Sequence, residues 1–97
     1  MAAYMVVYLN LSDPSWVPDY IQNVPAILRS YGGEYVAVSG PIKRLEGDMP
    51  VPTQIAIFSF PSQEAIEKFM ADPRYKPYKD ARIKGSSANV FMFDNAH

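Results

Sequence analysis

Tyr31-Gly32-Gly33-Glu34-Tyr35 is the stretch whose reading decides the fold of this chain. An apolar stripe with helical spacing runs up to it, and an extended, β-branched run leaves it. Two consecutive glycines after such a stripe stop a helix. Gly32 can take the left-handed conformation that closes the last turn, and Gly33 lets the chain turn sharply into a strand. Upstream, Trp16, Tyr20, Val24, Ile27, Leu28 and Tyr31 recur at three- and four-residue intervals and define one buried helical face. Asp13 or Ser15 can cap this helix, with Pro14 in its first turn. Pro25 falls inside it, removes one backbone hydrogen bond and is expected to kink it.

Working outward, residues 4–11 read as a first strand: a short aromatic and β-branched run, apolar on both sides. Tyr4, Val6, Tyr8 and Asn10 point one way, and Met5, Val7, Leu9 and Leu11 the other. After the glycines, 34–39 reads as a second strand, which 42–46 continues or follows as a short extra strand. Residues 46–52 hold a glycine and two prolines and read as a loop. A third strand is expected at 53–60, ended by Pro61. Ser62 caps a second helix with Ala65, Ile66, Phe69 and Met70 on its buried side. Asp72-Pro73 starts a shorter third helix lined by Tyr75, Tyr78 and Ala81, and 87–94 is the last strand.

The order is β-α-β-β-α-β with one additional helix. Right-handed crossovers then give an α+β fold, a ferredoxin-like sandwich with an antiparallel four-stranded sheet and helices on one face. Met5, Val7, Leu9, Ala56, Phe58 and Phe60 are expected to meet the helices. That leaves Val6, Tyr8, Val36, Val38, Ile55 and Ile57 on the other side, an apolar face too large to leave in water. A second sheet from an identical chain is the simplest cover, so a homodimer is expected.

The bulk numbers bound the function. Ninety-seven residues form one domain, 1–97, with a modest core. The formal net charge is -1, from 9 basic and 10 acidic residues, with no basic stripe, so no nucleic-acid partner is expected. No run approaches a membrane span and no signal peptide is visible, so the expectation is a cytoplasmic protein without a membrane partner. There is no cysteine, and the one histidine is His97 at the end of the chain. Zinc, copper and histidine-ligated haem sites lack their usual ligands, and neither a metal nor a cofactor is expected.

The chain resembles the DUF1330 family of small proteins of unknown function, within the dimeric α+β barrel superfamily. The residues that carry the resemblance are Asp13-Pro14, Pro25, Tyr31-Gly32-Gly33 with Tyr35, Leu45-Glu46-Gly47-Asp48, Phe60-Pro61-Ser62, Ala65, Pro73-Arg74-Tyr75 and Arg82. The resemblance spans nearly the whole chain. It implies a ferredoxin-like fold and a dimeric α+β barrel in which two sheets face each other, and it implies no particular reaction. Two positions depart from the family pattern: Val38-Ser39 stands where members often carry arginine and glycine, and Met49 where an aromatic residue often follows.

Five residues are candidates for a ligand site. Tyr8 and Asn10 project together from one strand, and Ser59 shares their face on a neighbouring strand, so the three put polar groups on an apolar wall. Arg82, just before the last strand, offers a planar fork of donors to a carboxylate or enolate oxygen at the rim, or ties a carbonyl or Glu46. Glu46 and Asp48 are a close carboxylate pair, suited to acid–base work or simply to a solvated turn. Trp16 and the helical tyrosines read as core. Two functions follow: a cofactor-free cleft between two sheets that binds or transforms a small apolar, oxygen-bearing compound, or a non-catalytic dimeric binding or regulatory module.

Overall fold

Residues 2–96 are described by the structure, a computed structural model. His97 lies outside them. The strands are β1 (Ala3–Leu11), β2 (Glu34–Val38), β3 (Gln54–Phe60) and β4 (Ser86–Asp94), and they form one sheet in the order β2-β3-β1-β4. Every pairing is antiparallel. The helices are α1 (Val17–Ser30), α2 (Gln63–Met70) and α3 (Lys76–Gly85), with a 3-10 turn at Pro14–Trp16 leading into α1. This is the ferredoxin-like arrangement expected from the element order.

The glycine pair acts as a helix stop. Gly32 has φ +77°, and its N–H donates to the Arg29 carbonyl while that of Gly33 donates to the Leu28 carbonyl. These are the two bonds that close a helix through a left-handed residue. A Cβ on Gly32 would also stand 2.8 Å from Pro61 Cγ, so backbone angle and space both require glycine there. At the other helix starts, Asp13 Oδ1 accepts from the Ser15 N–H at 2.9 Å and Ser62 Oγ from the Ala65 N–H at 3.1 Å.

All three helices lie on one face of the sheet. Met5, Leu9, Phe58 and Phe60 are buried beneath them, with Val24, Ile27, Leu28, Ile66, Phe69 and Tyr75 from the helical side. The turn between α2 and α3 is clamped to the end of α1. Asp72, a buried carboxylate, accepts from the Tyr31 hydroxyl and from Arg74, whose Nη2 lies 2.9 Å from Asp72 Oδ2 and 3.0 Å from Ser30 Oγ.

Three expectations are corrected. No strand forms at 42–46: the chain from 39 to 53 has no regular structure, because Pro41, Pro50 and Pro52 cannot donate to a ladder. Val38 does not face away from the helices. A bulge between Tyr35 and Ala37 leaves Val36 unpaired and shifts the alternation, so Val38 pairs with Ala56 on the helix side. On α3, Ala81 is exposed, and the buried positions are Arg82 and Gly85.

Candidate functional site

Helix α1 stands off the sheet. The gap between them is a cavity of about 550 Å³, walled by Met5, Val7, Leu9, Ala56 and Phe58 from the strands and by Tyr20, Val24 and Leu28 from α1. Four exposed lining residues, Ile21, Arg29, Tyr35 and Val38, mark a mouth between α1 and the β2 edge, and exposed Thr53 also lines the space, just before β3. Pro25 also lines it, and the missing proline N–H leaves the Ile21 carbonyl without its usual helical donor.

At the far end of this apolar space four polar groups line the walls. Tyr20 and Tyr75 share a hydrogen bond between their hydroxyls, 2.7 Å apart. Two hydroxyls hold two protons and one such bond uses one, so the pair keeps a donor in hand. Burial, and then the neighbouring Tyr75, push the Tyr20 phenol above its ordinary value of 10.0, so it stays protonated at neutral pH. Trp16 packs edge-on against Tyr20 at 5.2 Å, and its buried Nε1 has no partner among the described residues. Arg82 is only 7% exposed, and no hydrogen bond or ion pair with a described residue holds its guanidinium.

Local structure explains how these groups are held. Gly85 ends α3 against the Trp16 indole, where a Cβ would stand 2.6 Å from Nε1 and 2.8 Å from the Asp13 carbonyl oxygen. The Ser12 and Asp13 N–H groups both donate to the Gly85 carbonyl, at 3.0 and 2.8 Å. That fixes the entry to α1 on the exit of α3, and with it Trp16 close to Arg82, three residues before Gly85. Tyr75 is set from below by Phe69, stacked at 4.4 Å.

Of the five residues expected at a ligand site, only Arg82 lines this cavity. It sits inside the wall rather than at a rim, and it does not pair with Glu46. Tyr8, Asn10 and Ser59 do share the opposite face, but they do not converge. Tyr8 pairs with Ile55, whereas Ser59 pairs with Tyr4, four residues along β1 or about 13 Å at roughly 3.3 Å per residue. Glu46 and Asp48 are exposed on the 39–53 segment. Trp16, Tyr20 and Tyr75 read as core in the sequence; Tyr75 is in the buried core and Tyr20 packs against it, and all three also line the cavity. The signal available for them was a buried stripe carrying polar tips, a Trp and a Tyr four residues apart, with no obvious partner for either tip.

Among the described residues, no group of three or more His, Asp or Glu side chains could hold a metal ion, and no helix is long and apolar enough to cross a membrane.

The chain belongs to DUF1330, the domain-of-unknown-function family whose model matches residues 2–96. No curated protein matches it. Among solved structures it is similar to a protein of unknown function from Rhodopseudomonas palustris, with TM-score 0.83 at 15% identity, covering 99% of this chain and 83% of that one. It is similar to SnoaB, a cofactor-independent oxygenase from Streptomyces nogalater, with TM-score 0.70 at 14% identity, covering 99% and 94%. It is also similar to a dimeric ferredoxin-like protein of unknown function from a Jannaschia species, with TM-score 0.64 at 14% identity, covering 98% and 100%. At these identities the likeness is one of fold.

Proposed function

We propose that this DUF1330 protein binds a small apolar, oxygen-bearing molecule in the cavity between α1 and the sheet, without a cofactor, and works as a homodimer joined through the bare face of the sheet. The observation that carries the reading is a buried donor without an acceptor, Trp16 Nε1, together with Arg82, which has no hydrogen-bond or ion-pair partner among the described residues, in a mostly apolar cavity. An apolar pocket with a few convergent polar groups is the usual form of a small-molecule site. Among the described residues the lining includes no carboxylate and no histidine, so these walls offer donors and no base. That favours holding and orienting a molecule over acid–base turnover, as in a binding or regulatory module. The fold shared with a cofactor-independent oxygenase supports a second reading, conversion of the bound molecule in the same cavity.

Native mass spectrometry after incubation with a metabolite extract tests the site. A small adduct is expected on the parent and not on Ala56→Phe, which fills the cavity from the sheet side. An adduct that survives Ala56→Phe would move the site elsewhere. The dimer is supported by Phe91 and Phe93, 58% and 49% exposed on the bare face, and by the dimeric neighbour. Light scattering should give twice the chain mass for the parent and the single-chain mass for Ile57→Asp, which puts a charge on the packed face. A folded parent of single-chain mass at every dilution rules the dimer out.

A further inference from the structure

Among the described residues, the charged side chains that line the cavity are of one sign: Arg82 and Arg29 line it, and no Asp or Glu does. The chain as a whole is slightly acidic, so this local excess is not a reflection of composition. Arg82 is the more telling of the two, because only 7% of its surface is exposed and it has no counterion among the described residues. A buried cation is normally paired, since isolation from water costs far more than an exposed charge. Next to it in the cavity wall are an indole N–H with no acceptor and a tyrosine pair with one unspent proton. At this end of the cavity the side-chain group without a partner, Trp16 Nε1, is a donor, and the charge beside it is positive. A cationic ligand would be repelled, and a neutral apolar one would leave the guanidinium as it is. An inorganic dianion would meet Val7, Val24, Leu28 and Phe58 over most of its surface.

We infer that the ligand is an apolar organic acid carrying one planar carboxylate, bound with the carboxylate at Arg82 and Trp16 and the hydrocarbon body toward Val24 and Phe58. The guanidinium fork matches a carboxylate in two parallel hydrogen bonds, which sets the orientation. The inference rests on the cavity being a ligand site and adds the charge of what it takes.

Trp16 is the only tryptophan, so its emission reports on this cavity alone. The probes are phenylbutanoate and its neutral isostere phenylbutanamide, titrated at pH 7 into the full chain. The acid should shift Trp16 emission at roughly 10- to 100-fold lower concentration than the amide, the range expected for hydrogen bonds to a charged group. Arg82→Met, close in volume, should bring the two probes together. The thermal midpoint of the free protein should not fall, because the guanidinium has no hydrogen-bond or ion-pair partner among the described residues to lose. Equal potency of acid and amide in the parent overturns the carboxylate assignment and leaves the cavity standing as a site for neutral molecules. If neither probe moves the emission at millimolar concentration, the cavity reading falls and takes the inference with it. A lower midpoint, or loss of folding, in Arg82→Met would make the guanidinium a structural tie and overturn the assignment, while the comparison of probes needs no variant.

Discussion

The two faces of the sheet carry apolar side chains in similar density, and they differ in what covers them. On the helix side, Ala3, Phe60, Ile66 and Phe69 are sealed in the core, but α1 stands off and leaves a cavity over Met5 and Phe58. On the other side, Tyr4 packs against Phe93 at 5.6 Å and Tyr8 against Phe91 at 6.1 Å, and both phenylalanines stay about half exposed. The polar groups of the bare face, Asn10 among them, reach water or a second copy and so reveal little. In the cavity, Trp16 Nε1 is buried and has no acceptor among the described residues. A polar group on an apolar wall therefore marks a site weakly, whereas a buried polar group without a partner marks it well.

The largest effect should come from emptying the sealed side. Phe69 is 1% exposed and stacks on Tyr75, so Phe69→Ala should cost about 3–5 kcal/mol. Phe91→Ala removes the same ring from the bare face. In denaturant melts, the loss in Phe69→Ala should be the same at all protein concentrations. The loss in Phe91→Ala should grow as the protein is concentrated, because it acts on association. Concentration-independent losses of equal size in both variants would mean that the two faces are equally covered within one chain.

The next effect is one of pH, and it belongs to the helix layer. Hydrogen bonds from Arg74 first, and then from Tyr31, hold the Asp72 carboxyl well below its ordinary value of 3.8. A depressed carboxylate contributes stability that is complete above its unfolded value and is lost as pH falls toward the folded one. Asp72→Asn should therefore melt below the parent at neutral pH, and the gap should close as pH drops below about 3.8. Parallel melting curves across that window would show that the clamp between α1 and the α2–α3 turn does not act through its charge.

How much of this was legible in the sequence follows from range. The helix stop at Gly32-Gly33, the caps at Asp13 and Ser62 and the alternation on β1 and β3 are local, and the structure keeps them. The bulge at Tyr35–Ala37 is set by pairing with β3, so a strict period of two placed Val38 on the wrong face. The 42–46 segment has extended-looking residues but too many interruptions to pair. Arg82 was legible as a donor, but its burial was not, because that depends on the packing of α3 under Trp16. The stand-off of α1 has no signature in a stripe that is apolar throughout, so the cavity and its three aromatic polar groups surfaced only with the fold.

The smallest effect separates the two faces most cleanly. Tyr20→Phe and Tyr8→Phe each remove one hydroxyl and keep the ring. Tyr20 is in the cavity, and its loss leaves the Tyr75 hydroxyl, in a residue only 2% exposed, without its partner. A lost hydrogen bond costs about 0.5–1.5 kcal/mol, more when a buried partner is stranded, so ligand affinity should fall severalfold to roughly tenfold. Tyr8 has no such role in the cavity. Its ring sits edge-on to Phe91 on the bare face, and Tyr8→Phe keeps that contact. Dimer mass and ligand affinity should both stay at parental values in Tyr8→Phe. The measurement is a titration of each variant, followed through Trp16 emission, with light scattering alongside. A weaker ligand in Tyr8→Phe and an unchanged one in Tyr20→Phe would invert the comparison. The binding cleft would then lie between the sheets of two copies, where Tyr8 and Asn10 stand together, and the cavity under α1 would be a packing gap.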